Sequence, residues 1–269
     1  MRAVLSVLIQ YCNDPRPDRM AEYDECVRRN LANPHIKAVH NLVEPKIAVP
    51  AEFTRHPRYV EHRVARWLTY RMALDYANAV LPDEVVALLN LDIFLDPDSD
   101  WPRAEAMLRG SKTVFCQGRT EYSHDGSTYR DPAFAALAFA TTQDAWIFKT
   151  PIDVADCDFE IGTLGCDNAI ADRLMRAGYV PVNAPNQFRI LHYDRVREKT
   201  ARTMTATHIA ERGAGRHTSH PERAGQYLVP DYEAFQSVDK VLDLLKVPEL
   251  ARYSVICDVF TKFIKIDNA

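Results

Sequence analysis

The carboxylates and the imidazole of this chain fall at places where they can do chemistry. Asn90, Asp92 and Asp96 lie in LLNLDIFLD (88–96), where an apolar run breaks into polar groups. A carboxylate at the carboxyl end of a buried strand can hold a divalent cation through oxygen, and that cation can hold phosphates. Asp96, Asp98 and Asp100 also have the spacing of a turn that caps a following helix. Asp92, between Leu91 and Ile93, is a different case, because an apolar-flanked carboxylate needs a partner. Asp167 lies in FEIGTLGCDNAIADRLMRAGY (159–179), where Gly162 and Gly165 lead into a helix. The helix dipole and free N–H groups there are expected to hold the carboxylate ionised. Such a group either caps the helix or takes a proton from an attacking hydroxyl. His192 ends the apolar strand of FRILHYDR (188–195), as a satisfied core group or as a ligand for a first-row transition metal.

Further polar residues surround these three. In TTQDAWIFK (141–149), Gln143 and Asp144 can hydrogen-bond a sugar and Trp146 can stack on one; a plain core strand with Trp146 buried is the alternative. Arg66, Tyr70 and Asn78 recur at i, i+4 and i+12, one helical face directed at a nucleotide or at solvent. Gln10 and Tyr11, at the end of the first strand, join the nucleotide-facing set. Residues 55–72 carry five Arg against one Glu, and 195–223 carry seven Arg or Lys against three Glu. A nucleoside diphosphate needs such compensating charge, and a mobile basic loop over 211–226 is placed to close over it.

The elements that must position these residues alternate. AVLSVLIQY (3–11) reads as a strand buried on both faces, 19–33 as a helix, IKAVHNLV (36–43) as a second strand and 44–58 as a connection. The stretch 59–81 is the longest helical text, and 85–91 is a buried strand. This order predicts parallel pairing with helices on the sheet. A short helix over 101–110, strands at 112–117 and 145–148, a helix over 167–179 with Gly178 as C-cap, and the strand-like YVPVN and FRILHY complete residues 1–195. Beyond them, 196–269 reads as a basic loop followed by an amphipathic helical extension.

Composition excludes several classes. The 269 residues carry a net charge of −4, too acidic for a general polyanion binder. No apolar run approaches the roughly 18 residues of a membrane span, and MRAVLSVLIQY lacks the marks of a signal peptide. The six cysteines form no C-x-x-C pair, which argues against a zinc knuckle and for reduced, mostly buried thiols in a cytoplasmic protein. All nine glycines lie at or beyond Gly110, so the N-terminal half holds neither a dinucleotide-binding glycine motif nor a P-loop. Any nucleotide there is held by side chains and a metal.

Taken as a set, strand–Asp92, Asp167 at a helix start and His192 on a later strand, with the text G-x-x-G-C-D-N … L … G-Y-x-P-V-N … H, resemble the inverting, metal-dependent glycosyltransferases of GT-A fold over residues 3–195. The resemblance implies a Rossmann-type mixed α/β sheet flanked by helices. It implies a Mn²⁺ or Mg²⁺ ion bound by Asp92 and His192, with Asp96 or Asn90 beside them, and a nucleotide-sugar donor. It gives Asp167 the role of general base toward a carbohydrate, glycolipid or other hydroxyl acceptor. Two departures stand out: Asn90-Leu91-Asp92 replaces a strict D-x-D, and Cys166-Asp167 stands where two acids are usual. Other readings remain open. A nucleotidyltransferase acting on a sugar phosphate would lack its customary glycine-rich loop, a carbohydrate-binding module would not need the three residues to converge, and a haloacid-dehalogenase-type phosphatase would need a D-x-D-x-[TV] after the first strand. GT-A enzymes that glycosylate hydroxymethylated DNA bases are similar in outline, and the basic patches would then follow a phosphate backbone. A homo-oligomer is compatible with every reading.

Overall fold

The structure, a computed structural model, describes residues 2–123, 125–129, 143–163 and 165–193. The basic loop and helical extension expected over 196–269 lie outside the described residues, and so does Cys257.

A seven-stranded sheet organises the chain, in the order β10-β6-β9-β4-β1-β2-β3. It consists of β1 (Leu5–Ile9), β2 (Ile36–Val43), β3 (Tyr59–Arg63), β4 (Val85–Leu89), β6 (Thr113–Gln117), β9 (Ala145–Lys149) and β10 (Val180–Val182). The strands β1, β2, β3 and β4 run parallel, β10 runs parallel to β6, and β9 lies antiparallel between β4 and β6. Every residue of LSVLI and VVALL is buried, as a strand covered on both faces requires. Alternate residues divide between two apolar layers. Leu8, Val86, Leu88 and Trp146 pack with α3 (Tyr70–Val80) and α5 (Cys166–Arg176). Val7, Ile9, Ala87 and Ile147 pack with α1 (Pro17–Ala32) and α4 (Trp101–Arg109). The expected mixed α/β sheet flanked by helices is the architecture observed. Among the described residues no helix is long and apolar enough to cross a membrane, and Cys12, Cys26, Cys116, Cys157 and Cys166 are buried and unbridged.

A second, four-stranded sheet in the order β5-β11-β7-β8 sits beside the first. It contains β5 (Ile93–Leu95), β7 (Thr120–Tyr122), β8 (Thr128–Tyr129) and β11 (Ile190–Tyr193). This sheet was not expected from the sequence, because two- to four-residue strands leave no periodicity to read.

The single helix expected over 59–81 is two elements. Tyr59–Arg63 adds to the edge of the large sheet beside β2. The helix starts only after Thr69, whose hydroxyl accepts from the Met72 N–H at 3.2 Å. The short α2 (Ala51–Thr54) precedes that edge strand. Arg66 is therefore off the helix, and Arg66, Tyr70 and Asn78 do not share a helical face.

Candidate active site

The site forms where the two sheets meet. Because β9 runs against β4 and β6, its first residues lie beside their carboxyl ends. The Asn90 N–H donates to Asp144 O at 3.0 Å, and the Asp144 N–H donates to Gln117 O at 3.0 Å. The Asn90 side-chain amide adds a bond to Asp144 Oδ1 at 2.8 Å. After β4 the chain turns at once, with the Ile93 N–H on Asn90 O at 3.1 Å, and Asp92 occupies that turn. In the small sheet His192 is the register partner of Ile93 on one side and Glu121 on the other. The geometry therefore sets Asp92, His192 and Glu121 in a row.

The row is ionic. His192, fully buried, places Nε2 3.2 Å from Asp92 Oδ2 and Nδ1 2.6 Å from Glu121 Oε2. The Arg19 guanidinium, from α1, also bonds Asp92 Oδ2 and holds Glu22 at 2.6 Å. Arg119 donates from Nε to Glu121 at 2.9 Å and reaches both oxygens of Asp144 at 3.3 Å. Burial alone would raise the Asp92 carboxyl, but His192 and Arg19 hold it well below the usual range. Burial likewise opposes ionisation of Glu121, and His192 with Arg119 brings it down to about 2. For His192, burial and Arg119 work against the charged ring, while Glu121 and Asp92 outweigh them and raise it.

Asp167 opens α5 in the first turn behind Gly165, which takes the left-handed backbone (φ 82°) that glycine accepts without strain. The carboxyl is partly exposed. It is not held ionised, as a helix start alone would predict: it is pushed up to about 7, first by burial and then by the charge of Asp144. Hydrogen bonds from the Cys166 thiol (3.0 Å) and the Gln143 N–H, with the Arg119 charge, pull the other way without prevailing. The charge of Arg119 acts on Asp92, His192 and Asp167 alike. Its direct contacts are to Glu121 and Asp144.

Asp92 and His192 suit a divalent cation in type and spacing. A carboxylate oxygen and an imidazole nitrogen face each other, and Glu121 holds the far ring nitrogen as an acidic partner commonly does behind a metal-bound histidine. Among the described residues no group of three His, Cys, Asp or Glu side chains is placed to hold a metal ion. Phosphate and water would have to complete the shell of such an ion. Arg19 is the competing cation on Asp92.

Other expected site residues sit elsewhere. Asp96, expected near the metal, pairs with Arg189 at 2.5 Å and its Oδ1 accepts the Asp98 N–H at 3.1 Å, because β5 has already carried the chain away. Asp100 caps α4, accepting from the Arg103 N–H at 3.1 Å. Asn78 is tied to Ile152 N and O at 2.9 and 2.7 Å, at the end of the sheet opposite Asp92. Arg66 is exposed and paired with Asp158 at 3.0 Å. Trp146, 2% exposed, meets the Tyr70 ring edge-on at 4.9 Å; the core position, not sugar stacking, is what the structure gives it. Tyr11 is buried with its hydroxyl on Asp24 at 2.5 Å. Gln10 accepts the Leu68 N–H at 2.8 Å and leaves Nε2 without a hydrogen-bond partner among the described residues. Gln143 is buried beside Asp144, with its N–H on Asp167. Arg19, Arg119 and Glu121 were not anticipated. Residues 118–121 follow a strand just as Asp92 does, so the rule that ligands gather at strand carboxyl ends would have found Arg119 and Glu121.

No family model matches the chain, and a search of curated proteins finds no match. Among solved structures the chain is similar to "GalNAc-T7 with UDP, GalNAc and Mn2+", at 10% identity and a TM-score of 0.46. The likeness covers 72% of this chain and 43% of that one, so the chain spans less than half of its length.

Proposed function

We propose that the chain transfers a glycosyl group from a nucleoside-diphosphate sugar to an acceptor hydroxyl with inversion, Asp167 serving as general base. One arrangement carries the reading: Asp92 is paired with the Arg19 guanidinium and the His192 imidazole, whereas Asp167 has the Cys166 thiol at 3.0 Å and the charge of Asp144 against it, so Asp92 is held well below the usual carboxylate range and Asp167 is pushed up to about 7. A base that must accept a proton at neutral pH works best with an affinity near the working pH. Asp167 has that affinity, and the residue is half-buried at the start of α5.

The acceptor oxygen attacks the anomeric carbon as the bond to the diphosphate breaks. Asp167 takes the hydroxyl proton, and the nucleoside diphosphate leaves with the bonding electron pair. Asn90 and Asp144 are paired at the carboxyl end of β4 and can hydrogen-bond sugar hydroxyls there. A divalent ion on Asp92 and His192 would neutralise charge on the leaving diphosphate. Glu121 fixes the imidazole from behind, and Gln10 Nε2 remains a donor for the nucleotide. Residues 1–195 would form the donor-binding and catalytic unit.

A thermal-shift panel of UDP-, GDP-, CMP- and dTDP-sugars, with and without Mn²⁺, tests donor binding, since a ligand at 100 times its Kd stabilises by about 2.7 kcal/mol. One donor is expected to stand out and to need the metal. Product from that donor, examined by the anomeric coupling in its proton NMR spectrum, is expected to be inverted. Retention removes Asp167 as base, and release of pyrophosphate from a sugar phosphate and a nucleoside triphosphate replaces the reading with nucleotidyl transfer.

A further inference from the structure

Asp167 is approached from inside the protein by a second helix. Cys166 Sγ lies 3.0 Å from Asp167 Oδ1, and the Tyr70 hydroxyl lies 3.5 Å from the same sulfur. Tyr70 opens α3 and Cys166 opens α5, two helices packed on one face of the large sheet. Their alignment is a product of packing, not of sequence adjacency. Tyr70 is clamped by Trp146, edge-on at 4.9 Å, and by Phe159 at 5.2 Å, so its hydroxyl has little freedom. Burial raises both the thiol and the phenol well above their ordinary values. A thiol that keeps its proton beside a carboxylate donates to it, and the phenol in turn donates to the sulfur.

Among the described residues, four other groups face Asp167. Asp144 comes from the segment before β9, Arg119 from the segment after β6 and Cys116 from β6, and the Gln143 N–H bonds the carboxyl. Burial and Asp144 favour the protonated acid; Cys166, Gln143 and Arg119 favour the carboxylate. Cys166 is itself backed by a further donor from another helix, the Tyr70 hydroxyl.

We infer that Cys166 and Tyr70 are positioning residues for Asp167: a relay of hydrogen bonds from phenol through thiol to carboxylate aims Oδ1 and sets the pH at which Asp167 accepts a proton. The inference rests on the glycosyl-transfer reading. A thiol suits the task because it is a weak donor. It steadies the carboxylate without driving its proton affinity out of the neutral range, as several strong donors would.

The test is the pH dependence of kcat/KM for the wild type, Cys166→Ala, Cys166→Ser and Tyr70→Phe, paired with a carbon-13 NMR titration of the Asp167 carboxyl, assigned by its loss in Asp167→Asn. Cys166→Ala removes the donor, so its acidic limb is expected to move up by about half to one pH unit, a loss of about 3- to 10-fold one unit below the wild-type midpoint. Cys166→Ser keeps a donor and restores or lowers the midpoint; Tyr70→Phe keeps the ring and shifts it upward by less than Cys166→Ala. Residues that merely fill the core would lower the plateau and leave the limb in place, and that result overturns the inference, as does an unchanged NMR titration in Cys166→Ala. If the NMR midpoint shifts while no nucleotide sugar is turned over, the relay stands and the glycosyl-transfer reading falls.

Discussion

Asp92 and Asp167 are the same side chain in two halves of the candidate site, and the halves treat it oppositely. On the small-sheet side Asp92 meets the Arg19 guanidinium and the His192 imidazole, and their charges overcome burial. On the α5 side Asp167 meets a second carboxylate, Asp144, a neutral thiol and one backbone N–H, and burial wins. Arg119 reaches both, yet it is committed by direct contact to Glu121 and Asp144, so it tempers Asp167 without ionising it. What separates the low proton affinity of Asp92 from the high one of Asp167 is the nearest neighbour, since burial opposes ionisation of both.

Removing the carboxylate from the α5 half is expected to have the largest effect. Asp167→Asn should lower transfer by about 10²- to 10⁴-fold while calorimetric donor affinity stays within twofold. Wild-type turnover would erase the distinction between the halves. Stability should move the other way. A carboxyl with a higher proton affinity folded than unfolded contributes fully below about pH 4, and that contribution is lost as pH rises through about 7. Asp167→Asn is therefore expected to gain about 1–3 kcal/mol at pH 8, less than the full shift because the group is partly exposed, and almost nothing at pH 4. Urea melts at the two pH values measure the difference.

Next in size is the loss of the cation between the halves. Arg119→Met leaves Glu121 and Asp144 without the guanidinium that both contact, and an uncompensated buried charge costs about 3–5 kcal/mol. The same variant should raise the Asp167 titration midpoint, because one of the charges favouring the carboxylate is gone. An unaltered midpoint would mean that the halves are insulated from each other.

The two halves were not equally legible in the sequence. Asp92 followed a buried strand and Asp167 opened a patterned helix, and those elements formed: β1, β2, β4, α1, α4 and α5 lie within a few residues of their expected bounds. What stayed hidden rests on short or mixed text. Tyr59–Arg63 has four exposed residues of five and reads like the polar start of a helix, yet it pairs as an edge strand, a choice made by β2 rather than by its own propensity. Glu121 sits in a three-residue strand, with Arg119 just before it, and the pairing that brings it to His192 spans 71 positions. The raised affinity of Asp167 comes from burial and then from the charge of Asp144, and the antiparallel insertion of β9 is what brings Asp144 there.

A smaller effect should confine itself to the small-sheet half. Glu121→Gln keeps the shape behind His192 and removes its charge. Metal-dependent donor affinity is expected to fall by about 10- to 100-fold, as for other acidic partners behind a ligating histidine, with the acidic limb of the rate profile close to the wild type. Titration calorimetry with the best donor, at fixed Mn²⁺, reads the first quantity. A shifted acidic limb with unchanged donor affinity would assign Glu121 to the Asp167 half instead.

The smallest effect on the site belongs to Asp96, which shares the LLNLDIFLD segment with Asp92 but not its surroundings. Its carboxylate is committed to Arg189 and to the turn that leads into α4. Asp96→Asn is expected to cost about 1–2 kcal/mol of stability through the weakened pair and to leave metal-dependent donor affinity within twofold. Asp92→Asn in the same assay should abolish most of that affinity. Two aspartates four positions apart would then differ because one lies in the turn between the sheets and the other lies past β5. A large loss of donor affinity in Asp96→Asn would instead bring the segment beyond β5 into the site and redraw its boundary.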